Sequence, residues 1–198
     1  IYTRVQGAEH PDTLDSMRKL AGALLSQKRF PEAEELSRKV LEIQRRVLRP
    51  DHSETLRSLY NLAGVLYDQE RYAEAEPLLR EALDGARRTL GSEHSTTLVF
   101  LNSLANSIMR QARFADAEPL FREAYETRRK VLGPAHGDTL NSLDRLGEVV
   151  ARQEHFEQAE QLCREALDGW RSKVGDEHPA TRAAVCNLAS VYTNWCWQ

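Results

Sequence analysis

Six histidines, three cysteines and 30 acidic residues are the side chains of this 198-residue chain that could hold a metal or move a proton. Five of the histidines, His10, His52, His94, His136 and His178, stand 42 residues apart each time. Imidazoles in register suggest zinc, but the ligands of one ion must all meet it at ~2 Å. Side chains that recur once per pair of helices are separated by about 10 Å or more, the packing distance of helices. These histidines therefore cannot share one metal, and each is expected just ahead of a helix, hydrogen-bonding the loop or the adjacent repeat. The carboxylates also recur in every unit, which marks helix-end and solvated-face roles, whereas a working acid/base pair would be a singular feature. Cys163, Cys186 and Cys196 contain no CxxC pair, and their odd number reads as reduced thiols rather than a disulfide frame. The chain contains no GxxxxGK[ST], GxSxG, HExxH or EF-hand loop. No catalytic residue, metal ligand or cofactor is expected, and the chain does not read as an enzyme.

The elements that carry these residues follow from the same period. Self-similar units run over 7–48, 49–90, 91–132 and 133–174, with a partial unit over 175–198 and residues 1–6 matching the close of a preceding one. In the second unit Leu56, Leu59, Leu62, Ala63 and Leu66 form one apolar stripe at helical spacing, and Ala75, Leu78, Leu79, Ala82, Leu83 and Ala86 form another. Each unit is thus two helices. A short polar turn and an aromatic separate them, as in Lys28-Arg29-Phe30 and Glu70-Arg71-Tyr72, so the helices must run antiparallel as a hairpin. Small residues recur where the two helices would cross, pairing Ala21 with Ala33, Ala63 with Ala75, Ala105 with Ala117 and Gly147 with Ala159. Acidic residues crowd the start of each second helix and basic ones its end, complementing the helix dipole. One hairpin leaves an apolar face bare, so the units are expected to stack as an all-α, right-handed α-solenoid of antiparallel helix hairpins, one domain over residues 1–198.

The order of small, aromatic and alanine positions is that of tetratricopeptide repeats, in a unit longer than the usual one of about 34 residues. Asp51-His52-Ser53-Glu54-Thr55-Leu56, Asn61-Leu62-Ala63, Arg71-Tyr72-Ala73-Glu74-Ala75-Glu76-Pro77-Leu78 and Arg80-Glu81-Ala82-Leu83 resemble the long repeats of kinesin light chain. HEAT and armadillo repeats have comparable length but not this pattern. The resemblance implies a concave groove lined by the first helix of each unit, with the residue before the Leu-Ala step binding ligand backbone. In this chain that residue is Lys19, Asn61, Ser103, Arg145 and Asn187, of which Asn61 and Asn187 match the family asparagine. Helical spacing adds Arg57, Tyr60, Asn102, Asn106, Arg110, Asn141, Glu148 and Arg152 to the same face. Amides can pair with an extended peptide's backbone, and arginines can grip carboxylates. The expected function is a protein-protein interaction scaffold that holds a peptide or partner segment carrying acidic residues. The alternative is a structural or regulatory arm of a larger effector, an NTPase or protease, packing intramolecularly or oligomerising.

Composition narrows the partner. A net charge of -3 gives no excess of positive charge to draw the whole chain onto nucleic acid or anionic membrane. No apolar run approaches the roughly 20 residues of a membrane span, and Ile1-Tyr2-Thr3-Arg4-Val5 lacks a signal-peptide layout, so a cytoplasmic setting is expected. Trp195-Cys196-Trp197-Gln198 replaces the turn of the earlier units, which reads either as a divergent cap or as an artificial end.

Overall fold

The computed structural model describes Gly7 and residues 9–196. The reading of residues 1–6 as the close of an earlier repeat lies outside the described residues, as do Trp197 and Gln198. Among the described residues there are helices and no strands: α1 (Pro11–Ser26), α2 (Phe30–Val47), α3 (Ser53–Asp68), α4 (Tyr72–Leu90), α5 (Ser95–Arg110), α6 (Phe114–Leu132), α7 (Gly137–Ala151), α8 (Phe156–Val174) and α9 (Pro179–Cys196). They group into two compact units, residues 1–107 and 108–198.

In the first unit α1, α2, α3 and α4 pack each on the next. The stripe foreseen on α3 is the core: Leu56, Leu59, Leu62, Ala63 and Leu66 are all buried, as are Ala75, Leu79, Ala82, Leu83 and Ala86 of α4, with Leu78 half-buried. The crossing residues Ala33 and Ala75 are fully buried, so close approach of the paired helices rests on their lack of bulk. In the second unit α7 packs on α6, α8 and α9, and Leu140, Leu167, Trp170 and Ala184 form a core cluster. Gly147 comes so close to α8 that a Cβ there would meet Cys163 Sγ at 2.7 Å. Burial, aided by the charges of Asp144 and Glu148, pushes that thiol up to about 11, which leaves Cys163 an inert packing residue.

Each recurrent residue has a definite structural duty. His10, His52, His94, His136 and His178 cap the first helices, Nδ1 accepting from the backbone N–H two residues on at 3.1–3.2 Å. The threonine three residues after each His is buried, and its hydroxyl donates to the carbonyl that opens the unit, as Thr97 does to Gly91 at 2.8 Å and Thr139 to Gly133 at 2.9 Å. Gly7, Gly91, Gly133 and Gly175 hold φ of 84° to 91° there, a region that excludes side chains. Arg49 takes their place in the second unit without the positive φ, and α2 ends one position earlier than α4, α6 and α8.

The turn inside each hairpin is a Schellman closure. Arg71 N–H donates to Leu66 O and Glu70 N–H to Tyr67 O, both at 2.9 Å, with Glu70 left-handed at φ 60°. Lys28, Ala112 and Glu154 repeat that conformation. Acidic residues at the start of the second helices do more than face the dipole. Glu32, Glu74 and Asp116 pair with the turn arginines Arg29, Arg71 and Arg113. Glu34 accepts from Gln69 at 2.9 Å and Arg71 at 2.5 Å, and Glu118 from Gln153 at 2.8 Å, so each binds the turn of the following hairpin.

Candidate peptide-binding face

The first helix of each hairpin presents one face that the core does not use. In the first unit it carries Lys19 on α1, Arg57, Tyr60 and Asn61 on α3, and Asn102, Ser103 and Asn106 on α5. Tyr60 stacks on Phe100 with ring centroids 5.1 Å apart and planes 27° from parallel. The stack separates two depressions. One, of about 260 Å³, lies over Ala63 and Gly64 between Leu25, Tyr67 and Asp68, with Ser103 and Asn106 opposite. The other, of about 490 Å³, is lined by Arg57, Tyr60, Asn61, His94 and Phe100.

The cations of this face are already engaged. Arg18, which sequence periodicity did not select, is largely buried and reaches Asp15 on its own helix and Glu54 on α3 at 3.1 Å. Glu54 also pairs with Arg57, and Lys19 pairs with Asp15 at 2.8 Å. The Asn106 amide nitrogen donates to Asn102 O at 2.9 Å, which leaves its carbonyl and its second N–H for an incoming group. Asp68 has no cationic partner among the described residues.

In the second unit the foreseen residues are Arg110 at the end of α5, Asn141 and Arg145 on α7, Arg152 capping α7, and Asn187 on α9. Arg145 pairs with Glu148 at 2.8 Å, and Arg110 is exposed and engaged in an intramolecular contact. Arg152 lies over the Phe114 ring at 5.1 Å and has no carboxylate partner among the described residues. Asn141 is exposed, whereas half-buried Asn187 acts on the carboxyl of Asp144. Burial pushes that carboxyl up, against the pull of Trp170, whose Nε1–H donates to Oδ2 at 3.0 Å, and of Asn187. At the far end Trp195 stacks on Phe156, centroids 6.1 Å apart, while α9 runs on to Cys196.

Sequence reasoning missed Arg18, Gly64, Asp68, Phe100, Phe114 and Asp144. A signal existed for Arg18 and Asp144: both occupy, 42 residues removed, the position of Tyr60 and Asn102. Phe114 recurs with Phe30, Tyr72 and Phe156 as the aromatic after each turn, but its contact with Arg152, like that of Phe100 with Tyr60, was not legible, because a ring's usefulness to a neighbour on another helix is not written in its own helix's period. Among the described residues no three His, Cys, Asp or Glu side chains gather as a metal site, and no helix is long and apolar enough to cross a membrane.

The family model described as Tetratricopeptide repeat matches residues 1–46, 13–88, 54–105 and 93–172. Comparison with curated proteins gives no match. Among solved structures, the nearly identical TPR-like repeats of a Podosopora anserina protein named as a kinesin light chain superpose with TM-score 0.85 at 26% identity, over 96% of this chain and 90% of that one. A second structure of those repeats, Q17M, gives TM-score 0.86 at the same 26% identity, covering 96% and 89%. BtubC (BKLC) from P. vanneervenii shares the fold, with TM-score 0.76 at 20% identity over 92% of this chain and 73% of that one. Hairpin order and these likenesses agree, and the chain belongs to the tetratricopeptide repeat family, in the form its kinesin light chain-like neighbours take.

Proposed function

We propose that the chain, as one repeat domain of residues 1–198, holds a segment of a partner protein, extended or as a short helix, on the face of its first helices. Tetratricopeptide repeats generally mediate protein–protein interaction, which supports the coarser half of this reading. The finer half is carried by one observation. The two depressions beside the Tyr60–Phe100 stack are lined by Asn61 and Ser103, which the repeat resemblance selects, and by Arg57, Tyr60 and Asn106, which helical spacing selects, in both cases independently of any cavity. A stacked aromatic offers area at little entropic cost, and the amides and hydroxyl beside it can meet a peptide backbone. Acidic residues of the partner are met in the second unit by Arg152, which has no carboxylate to give up. Arg57 and Arg145 would have to exchange Glu54 and Glu148, and exposed ion pairs of that kind exchange readily.

Titration of the full chain with fluorescent synthetic peptides of acidic, neutral and basic composition tests the reading. Saturable binding is expected, weakened on the order of tenfold by Tyr60→Ala combined with Asn106→Ala. Acidic peptides should lose affinity with Arg152→Ala, and Glu42→Gln on exposed α2 surface should change nothing. Binding that ignores the Tyr60 and Asn106 changes, or no binding by any peptide, defeats the proposal.

A further inference from the structure

The smaller depression of the first unit has a chemistry of its own, at odds with the arginine-rich look of the sequence. Its floor is apolar, with Leu25, Ala63 and Leu79 beneath an opening made by Gly64. A Cβ placed on Gly64 would meet nothing within 4 Å, so the opening depends on a missing side chain and not on a packing demand. Tyrosine rings, Tyr60 and Tyr67, stand at its sides. The one charge left for a visitor is negative, set among neutral hydroxyl and amide groups that can donate or accept. Asp68 at the rim is exposed and has no cationic partner among the described residues, and the Asn106 amide has spent a donor on Asn102. The nearby positive charges of the face, Arg18, Lys19 and Arg57, are bound to Asp15 and Glu54.

An occupant complementary to this site needs a long apolar stem, a positive end and several donors. From these features the geometry points to a lysine or arginine side chain of the partner segment as the anchor of this depression, its stem over Leu25 and Gly64 and its charge between Asp68, the Asn106 carbonyl and the Tyr60 ring. An acidic side chain placed there would meet the charge of Asp68 with only neutral hydroxyl and amide donors to offset it, so the site selects against it. The inference rests on the peptide-binding reading above and names the residue class that its first-unit cleft takes. It sets the first unit's cleft apart from Arg152 of the second unit, which is proposed above to meet acidic residues.

The test uses the full chain and one neutral peptide sequence with a single central residue varied as Lys, Arg, norleucine or Glu, followed by fluorescence anisotropy. Lys and Arg peptides are expected to bind on the order of tenfold more tightly than the norleucine peptide, with Glu weakest. Asp68→Asn, a surface change that removes no contact among the described residues, should collapse the advantage of Lys and Arg over norleucine. Gly64→Leu should block the anchor, whereas Gly64→Ala, checked by circular dichroism and thermal melting, should keep the helix and stabilise it. Equal affinity for Lys and norleucine peptides, or a Lys preference that survives both Asp68→Asn and Gly64→Leu, overturns the anchor while the peptide-binding reading stands. Failure of every peptide to bind overturns both.

Discussion

Asp144 holds the place that Arg18, Tyr60 and Asn102 hold in the three preceding units, and the four side chains show how one repeat position can be spent differently. Arg18 ties two hairpins by ion pairs, and Tyr60 stacks on a ring. Asp144 is buried beneath Trp170 and Asn187, with Oδ1 lacking a hydrogen-bond partner among the described residues. A carboxyl whose folded value is raised binds more protons in the native state than in the unfolded one. Its cost to stability therefore begins as pH rises past the ordinary value of 3.8 and is complete above the raised folded value. Asp144→Asn keeps an acceptor for Trp170 Nε1–H and sheds the charge, so the variant should melt higher at neutral pH, by about 2–4 °C for each kcal/mol regained. The advantage should shrink as the pH is lowered toward 3.8. Paired thermal melts across that range decide it; an advantage independent of pH would show that the charge is not the cause.

At the scale of the element, the helices were legible because apolar positions at a 3.6-residue period repeat in every unit, and Leu59, Leu62 and Ala82 fall in the core as their spacing requires. The place of each hairpin turn was legible too, but its conformation was not. Its left-handed residue is Lys28, Glu70, Ala112 or Glu154, types that carry no turn signature, and the Schellman bonds form in spite of them. A residue with a Cβ pays about 1–2 kcal/mol for that conformation. Glycine avoids the strain but loses roughly 0.4–1 kcal/mol through the greater freedom of the unfolded chain. Glu70 is exposed and its side chain makes no hydrogen bond or ion pair among the described residues, so Glu70→Gly should stabilise the protein by a net of about 0.5–1 kcal/mol. Chemical denaturation measures it, and a loss of stability would mean that the backbone there is not strained.

For the whole molecule, the sequence showed which face of the first helices is spare but not how its charges are spent. Lys19, Arg57 and Arg145 look like free cations in one dimension, yet each has a carboxylate three or four residues away on its own helix. Partners that come from another helix, such as Phe100 beside Tyr60 or Phe114 beneath Arg152, become visible only when the hairpins are packed. Repeat folds are stabilised by contacts within and between neighbouring hairpins, so stability is approximately a sum of local terms. Glu70 belongs to the first compact unit and Asp144 to the second, and they share no partner among the described residues. The free-energy changes of Glu70→Gly and Asp144→Asn should therefore add in the double variant to within about 0.3–0.5 kcal/mol. Denaturation of the parent, the two single variants and the double variant under one condition closes the cycle. A coupling well above that margin would mean that the two substitutions act on one cooperative element, and that the stability of this array is not the sum of its hairpins.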